Sequence, residues 1–162
     1  MDVEHWLSID PLSWMAIGAS ILCGTIVGLE RQLRGKPVGI RTSSLIVLGT
    51  YVFVAASLYI SRDAAVSDPS RIIGQVVTGV GFLGAGVMMA KEGMVVGVTS
   101  AATIWSLAAV GICIAVIDEA VAIKLSIVVV IILSGVDALE DYSTVFTRGV
   151  HHKITTWRNK DQ

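Results

Sequence analysis

Residues 99–117 read TSAATIWSLAAVGICIAVI, a stretch without a single charged residue. A helix needs about 20 mostly apolar residues to cross the roughly 30 Å hydrocarbon core of a bilayer. Residues 12–29, 42–60 and 72–90 form three more such stretches. A fifth, residues 120–139, holds only Lys124 and Asp137 near its ends, where a long side chain can reach the interface. The sequence predicts an all-α polytopic membrane protein with five transmembrane helices.

The composition favours the same class. The chain is 54% hydrophobic and 15% charged, whereas the helices of a soluble bundle would each need a polar face. A net charge of −1 provides no basic surface for nucleic acid. We expect one transmembrane domain over residues 1–139. A short tail, residues 140–162, has the periodicity of an interfacial amphipathic helix, with a solvated tail as the alternative.

The distribution of basic residues predicts the orientation. Lys and Arg concentrate in loops on the cytoplasmic side of a membrane. The first and third predicted loops and the tail together carry nine basic residues, whereas the second loop carries Arg62 and Arg71. We therefore expect the amino terminus outside the cytoplasm and the carboxyl terminus inside.

Small residues mark where the predicted helices pack. Ala16, Ser20, Gly24 and Gly28 recur at every fourth position, a pattern that lets helix backbones approach closely in lipid. Residues 79–84, GVGFLG, match the GxGxxG pattern of dinucleotide-binding loops. No strand precedes them and no acid follows at the required distance, so the dinucleotide interpretation fails. These glycines are therefore interpreted as positions of close helix packing. The alternative is a locally broken helix that lines a polar cavity.

A short internal repeat precedes the second and fourth stretches. Residues 35–43, GKPVGIRTS, resemble residues 93–100, GMVVGVTS. The chain can therefore be described as two similar helical hairpins plus a fifth helix, with chance similarity as the alternative. Thr42-Ser43 and Thr99-Ser100 are candidate N-caps, because hydroxyl oxygens accept hydrogen bonds from the free amides of a first helical turn.

Five motifs in order along the chain carry a family resemblance. They are GLERQ at residues 28–32, GIRT at 39–42, DPSRI at 68–72, VGFLGAG at 80–86 and TSAATIW at 99–105. Together they resemble the membrane domain of the MgtC/SapB family. The resemblance implies a bacterial inner-membrane protein linked to magnesium or ion homeostasis. In the virulence-factor branch it also implies adaptation to low magnesium and restraint of the ATP synthase.

Two departures from the family pattern limit this resemblance. Val96 stands where many members have a basic residue. Virulence-type members continue into a cytoplasmic ACT-like domain, and the segment that follows Leu139 here is too short for one. Functions that reside in that domain are therefore not expected of this chain.

The candidate functional residues fall into two clusters at opposite faces of the membrane. On the cytoplasmic side we expect Glu30 to balance Arg41 or Arg34, near the positive ends of two helices. Such a cluster can hold an anionic headgroup, a partner's carboxylate or a gating ion pair. On the other side, Asp68 is predicted to cap the third helix, with Arg71 beside it and Gln75 one turn deeper. The full candidate set, including residues of the family motifs, is Glu30, Arg31, Gln32, Arg41, Asp68, Arg71, Gln75, Gly81, Gly84, Thr99 and Trp105.

Enzyme chemistry has no support in the sequence. His5, His151 and His152 lie in terminal segments, and no nucleophile–base pair or HExxH motif occurs. Cys23 and Cys113 lie inside apolar stretches at different predicted depths, so we expect free thiols. The sequence indicates no cofactor.

Two function classes remain. Magnesium prefers oxygen ligands in near-octahedral geometry, and the first four stretches offer only Gln75, hydroxyls and carbonyls, which argues against direct magnesium transport. We favour an interaction or regulatory protein in the bilayer, whose partner is another membrane complex such as the ATP synthase or a second copy of the chain. A transporter or channel for an ion or small solute is the alternative. A water-filled cavity near Gln75 and residues 79–86 would favour transport, whereas an exposed groove of small residues would favour interaction.

Overall fold

A computed structural model describes residues 8–62, 68–91 and 94–142 of the chain. Within these ranges the elements are mainly helical, with one small antiparallel sheet. The helices are α1, Trp14–Leu33; α2, Ile40–Ser61; α3, Pro69–Gly86; α4, Val98–Val116; and α5, Glu119–Tyr142. The sheet lies between α3 and α4 and pairs β1, Met89–Lys91, with β2, Met94–Val96.

Four of these helices are long and apolar enough to cross a membrane. They are α1, α2, α4 and the Glu119–Val136 part of α5. The prediction of five spans is therefore not confirmed, because α3 is not apolar enough. It carries four polar side chains, and its second half is rich in glycine. The polar residues are Ser70, Arg71, Gln75 and Thr78.

The predicted third span was also wrong at its carboxyl end. It was expected to continue as a helix to Ala90, but α3 ends at Gly86 and Met89 already belongs to β1. The hairpin leads into α4 through Gly97, whose φ of +94° lies in the left-handed region. A Cβ at Gly97 would also collide with the carbonyl oxygen of Val87. The reversal between the hairpin and α4 therefore requires glycine.

The core forms where α2 packs against both α1 and α4, while α3 packs mainly against α4. The predicted stripe on α1 lies against α2, because a Cβ at Gly24 would lie 2.6 Å from the Ser44 nitrogen. A second close approach joins α2 to α4, where a Cβ at Gly111 would lie 2.7 Å from Thr50 Cβ. Cys23 and Cys113 are free thiols, as expected.

The internal repeat places a glycine, not a hydroxyl residue, at the start of two helices. Gly39 is the N-cap of α2 and Gly97 is the N-cap of α4, and neither makes a side-chain cap. The expected caps were wrong, because Ser43 and Ser100 lie inside the first turns. Ser43 Oγ instead donates to the Val38 carbonyl oxygen at 3.0 Å.

The chain divides into two compact units. The first ends at Val129 and the second begins at Val130. The described part of the second unit is the carboxyl-terminal half of α5. The predicted interfacial tail falls mostly outside the described residues, which end at Tyr142.

Candidate functional site: a buried ion cluster and a cleft between two helices

A buried ion cluster lies at the end of α1. Arg31 is only 4% exposed, and its Nη2 donates a hydrogen bond to Ser100 Oγ at 2.7 Å. Glu30 is 8% exposed, and its Oε1 lies 2.6 Å from Arg34 Nε. Apart from this ion pair, the Glu30 carboxylate and Arg31 Nε have no hydrogen-bond partner among the described residues. Burying charges is costly unless they are paired, so this cluster must be held firmly by its surroundings.

The expected pair of Glu30 with Arg41 is not formed. Glu30 pairs with Arg34, the other partner considered, and this is an i,i+4 pair on one helix. Arg41 is exposed and makes no ion pair with the described residues. Gln32 supports the start of α2, since its Oε1 accepts a hydrogen bond from the Ile40 amide at 3.4 Å.

Residues of the two predicted clusters line opposite ends of one cleft between α2 and α3. It has a volume of about 1120 Å³ and a mainly apolar lining. Arg41 lines one end, which we call the Arg41 end, and Asp68 and Arg71 line the other. Gln75 lies between these ends. From Arg41 to Ser61, the limits of its lining on α2, a helix rises about 30 Å, close to the thickness of a bilayer core.

Asp68 fulfils its predicted role as the N-cap of α3. Its Oδ1 accepts a hydrogen bond from the Ser70 amide at 2.9 Å, and Pro69 occupies the first helical turn, where it is well tolerated. Hydrogen bonds from the Ser70 side chain and then from its amide hold the pKa of the Asp68 carboxyl below its ordinary range, with a smaller contribution from the charge of Arg71.

A second, shallower groove of about 620 Å³ runs along α3 itself. The residues that line it are Arg71, Gly74, Gln75, Thr78, Gly79 and Phe82. A Cβ at Gly74 or at Gly79 would meet no atom within 4 Å. These glycines therefore differ from Gly24, whose missing Cβ is needed for packing within the chain. We call this surface the α3 groove.

The remaining candidates lie outside both surfaces. Gly84 is buried, and a Cβ there would make ordinary contact with Ala101 of α4, at 3.5 Å from its carbonyl oxygen. Gly81 faces open space. Thr99 is exposed at the start of α4, and its carbonyl oxygen accepts a hydrogen bond from Thr103 Oγ1. Trp105 is 56% exposed on α4.

Sequence reasoning missed the part of α2 that faces the cleft. Thr42, Gly49 and Ala56 all line it at intervals of seven residues, which places them along one side of a helix. The seven-residue spacing of these small residues could have been read from the sequence. Ser100, which accepts the hydrogen bond from Arg31, also lies in one of the family motifs but was not among the candidate functional residues. In the described ranges, no three His, Cys, Asp or Glu side chains converge as a metal site.

Comparison with known proteins confirms the family resemblance. A model of the MgtC family matches residues 17–142. The chain is 50% identical over 98 residues to YhiD of Escherichia coli (strain K12), which is named as a candidate magnesium transporter; the match covers 57% of this chain and 45% of YhiD. It is 45% identical over 95 residues to MgtC of Salmonella typhimurium (strain LT2), covering 58% of this chain and 39% of that protein. It is 43% identical over 97 residues to MgtC of Brucella abortus (strain 2308), and the match covers 59% of this chain and 39% of that protein.

These matches span less than half the length of the curated relatives. No solved structure matches the chain at a significant level.

Proposed function

The chain belongs to the MgtC family, and we propose that it is a regulatory membrane protein that binds a transmembrane helix of another membrane complex. In this proposal it acts in magnesium or other ion homeostasis without itself carrying the ion. The names of YhiD and MgtC support the link to magnesium. The ATP synthase is a candidate partner, and adaptation to low magnesium a candidate setting, through the resemblance to the virulence-type members.

The α3 groove is the observation that carries the proposal. Glycine destabilises a helix interior relative to alanine by roughly 0.5–1 kcal/mol, so repeated glycines need a compensating contact. Gly24 and Gly111 have that contact inside the chain, whereas Gly74 and Gly79 have open space around them. Small residues on a lipid-facing helix let a second helix approach closely, and Gln75 can hydrogen-bond across such an interface. The α3 groove thus has the features of a helix-docking surface.

The proposal places the protein in the bacterial inner membrane with the Arg41 end toward the cytoplasm. The concentration of Lys and Arg in the loops at that end supports this orientation. α3 leads from the end of α2 to the start of α4, and its Gly84 lies against Ala101 near that start. We therefore propose that α3 returns across the bilayer despite its low hydropathy, with its polar side chains facing protein partners.

The α2–α3 cleft favours a second candidate, a pathway for a small solute or ion. It extends past Gln75 and Gly79, the region where a water-filled cavity would favour transport. Its oxygen-bearing side chains, the hydroxyls of α2, the Gln75 amide and the Asp68 carboxylate, are spread along a mainly apolar cleft about 30 Å long. They do not form the compact octahedral set of oxygen ligands that Mg²⁺ prefers. For this reason the docking function stands first.

Three matched glycine-to-leucine variants separate the two candidates. Gly74 belongs to the α3 groove, Gly49 belongs to the α2–α3 cleft, and Gly18 belongs to neither. A Cβ at each position would meet no atom within 4 Å, so the three positions are matched in the room that they offer to the start of a side chain. Each variant is produced in cells that lack the protein, and growth is measured in magnesium-poor medium together with the amount of protein in the membrane.

The docking function predicts that Gly74→Leu fails to restore growth although it accumulates normally. Gly18→Leu and Gly49→Leu should restore growth. Loss of growth with Gly49→Leu alone would favour transport through the cleft. Full activity of Gly74→Leu would contradict the proposed docking surface.

A further inference from the structure

The α2–α3 cleft also has the shape and charge of a lipid site. It runs for about 30 Å along α2, the thickness of a bilayer core, and its middle is mainly apolar. Phe53 and Leu83 line it and are 68% and 55% exposed, so the cleft opens laterally toward the membrane. In a bilayer such an opening is in contact with acyl chains.

The charges at the two ends of the cleft differ. At one end, Arg71 lies beside the carboxylate of Asp68, which offsets its charge. At the Arg41 end, Arg41 is the charged lining residue and has no ion-pair partner among the described residues. The net positive charge of the cleft is therefore concentrated at Arg41.

The first turn of α2 adds hydrogen-bond donors next to Arg41. Its N-cap, Gly39, provides no side-chain cap, and the weak contact of Gln32 serves only the Ile40 amide. The amides of Arg41 and Thr42 precede the first intrahelical bond, which Ser43 makes to the Gly39 carbonyl oxygen. A guanidinium group, free amides and the positive end of a helix together favour a phosphate.

We propose that the cleft binds one anionic phospholipid, with its phosphate at Arg41 and Thr42 and an acyl chain in the apolar part of the cleft. The dimensions agree with this occupant. From Arg41, α2 rises about 12 Å to Gly49 and about 18 Å to Phe53. Half of the hydrocarbon core is about 15 Å, so an acyl chain anchored at Arg41 ends between these two residues. The α3 groove shares Arg71, Gln75 and Gly79 with the cleft, but its proposed docking function is not needed for this inference.

The test compares two lipids with identical oleoyl chains, phosphatidylglycerol and phosphatidylethanolamine, by native mass spectrometry of the full chain in detergent. The wild-type protein should bind phosphatidylglycerol more tightly. Arg41→Gln should lower that affinity about fivefold, the effect of one basic side chain near an anionic headgroup, and should remove the preference. Arg41→Lys should keep the preference. Arg62→Gln is the matched control, because Arg62 is exposed and lies outside the cleft.

A second variant tests the acyl chain separately. Gly49→Leu narrows the cleft and should weaken the binding of both lipids, whereas Gly18→Leu should weaken neither. The proposal is overturned if the wild-type protein shows no preference, or if Arg41→Gln and Arg62→Gln behave alike. It is equally overturned if the chain purifies as a dimer that excludes lipid from the cleft.

Discussion

Arg31 Nη2 donates a hydrogen bond to Ser100 Oγ at 2.7 Å and so joins the end of α1 to the first turn of α4 across 69 residues of sequence. Both side chains are buried, and they come from two separate family motifs. The contact explains why an arginine near a helix end can be almost inaccessible. It also links the repeated segment before α4 to the ion cluster of Glu30 and Arg31.

Ser100→Ala should destabilise the protein by about 1–3 kcal/mol, because it leaves a buried charged donor without its acceptor. Thermal unfolding in detergent measures the change. Ser106→Ala is the control, since Ser106 Oγ donates only to the Ala102 carbonyl oxygen of its own helix. The control should change stability by less than about 0.5 kcal/mol. Equal effects of the two variants would show that the bond to Arg31 contributes nothing specific.

Alanine substitutions at Gly24 and Gly18 should have opposite effects on stability. Gly18→Ala should stabilise α1 by roughly 0.5–1 kcal/mol, because its Cβ meets open space and alanine favours a helix. Gly24→Ala should destabilise by about 1–3 kcal/mol, because a Cβ there would lie 2.6 Å from the Ser44 nitrogen and force α1 from α2. Denaturant titration in mixed micelles measures both. A stabilising Gly24→Ala would contradict the close contact of α1 with α2.

The sequence predicted most of the helices but not where α3 ends. Long, mostly apolar stretches located α1, α2, α4 and α5, because the ability of a segment to cross a bilayer depends on its length and composition. The end of α3 was missed because residues 87–90 are apolar and carry no helix-stop signal, while the β1–β2 hairpin depends on the long-range contact of Gly97 with Val87.

The candidate site was predicted less well than the fold. The cap at Asp68 follows from local chemistry and was correct. The partner of Glu30 depends on how α1 and α2 are oriented, so sequence could not choose between Arg34 and Arg41. The cleft arises from the packing of two helices, and only the small residues of α2 indicated it in advance.

The contribution of Asp68 to stability should be lost in acid. Hydrogen bonds lower its pKa in the folded protein, so its contribution is complete above the unfolded value of about 3.9 and disappears as pH falls through the lower, folded value. The stability difference between wild type and Asp68→Ala should shrink over that interval. Ser70→Ala should raise the pKa of Asp68 toward its ordinary range in a carboxyl NMR titration. An unchanged pKa in Ser70→Ala would show that the Ser70 hydroxyl has no part in the shift.

Single cysteines at Lys36, Arg62 and Met94 should report the proposed orientation in intact cells. With Cys23 and Cys113 replaced by alanine, an impermeant maleimide should label Arg62→Cys from outside. It should label Lys36→Cys and Met94→Cys only after the membrane is opened. Labelling of Met94→Cys but not Lys36→Cys from outside would show that α3 does not return across the bilayer.

If the chain regulates magnesium homeostasis by contact, as proposed, it does not carry Mg²⁺ itself. The most direct test is the rate of Mg²⁺ entry into liposomes that contain the purified protein and a trapped magnesium-sensitive dye. The proposed function predicts the same rate as in protein-free liposomes, for the wild type and for Gly49→Leu alike. Faster entry with the wild type that Gly49→Leu abolishes would contradict the proposed function and identify the α2–α3 cleft as an ion pathway.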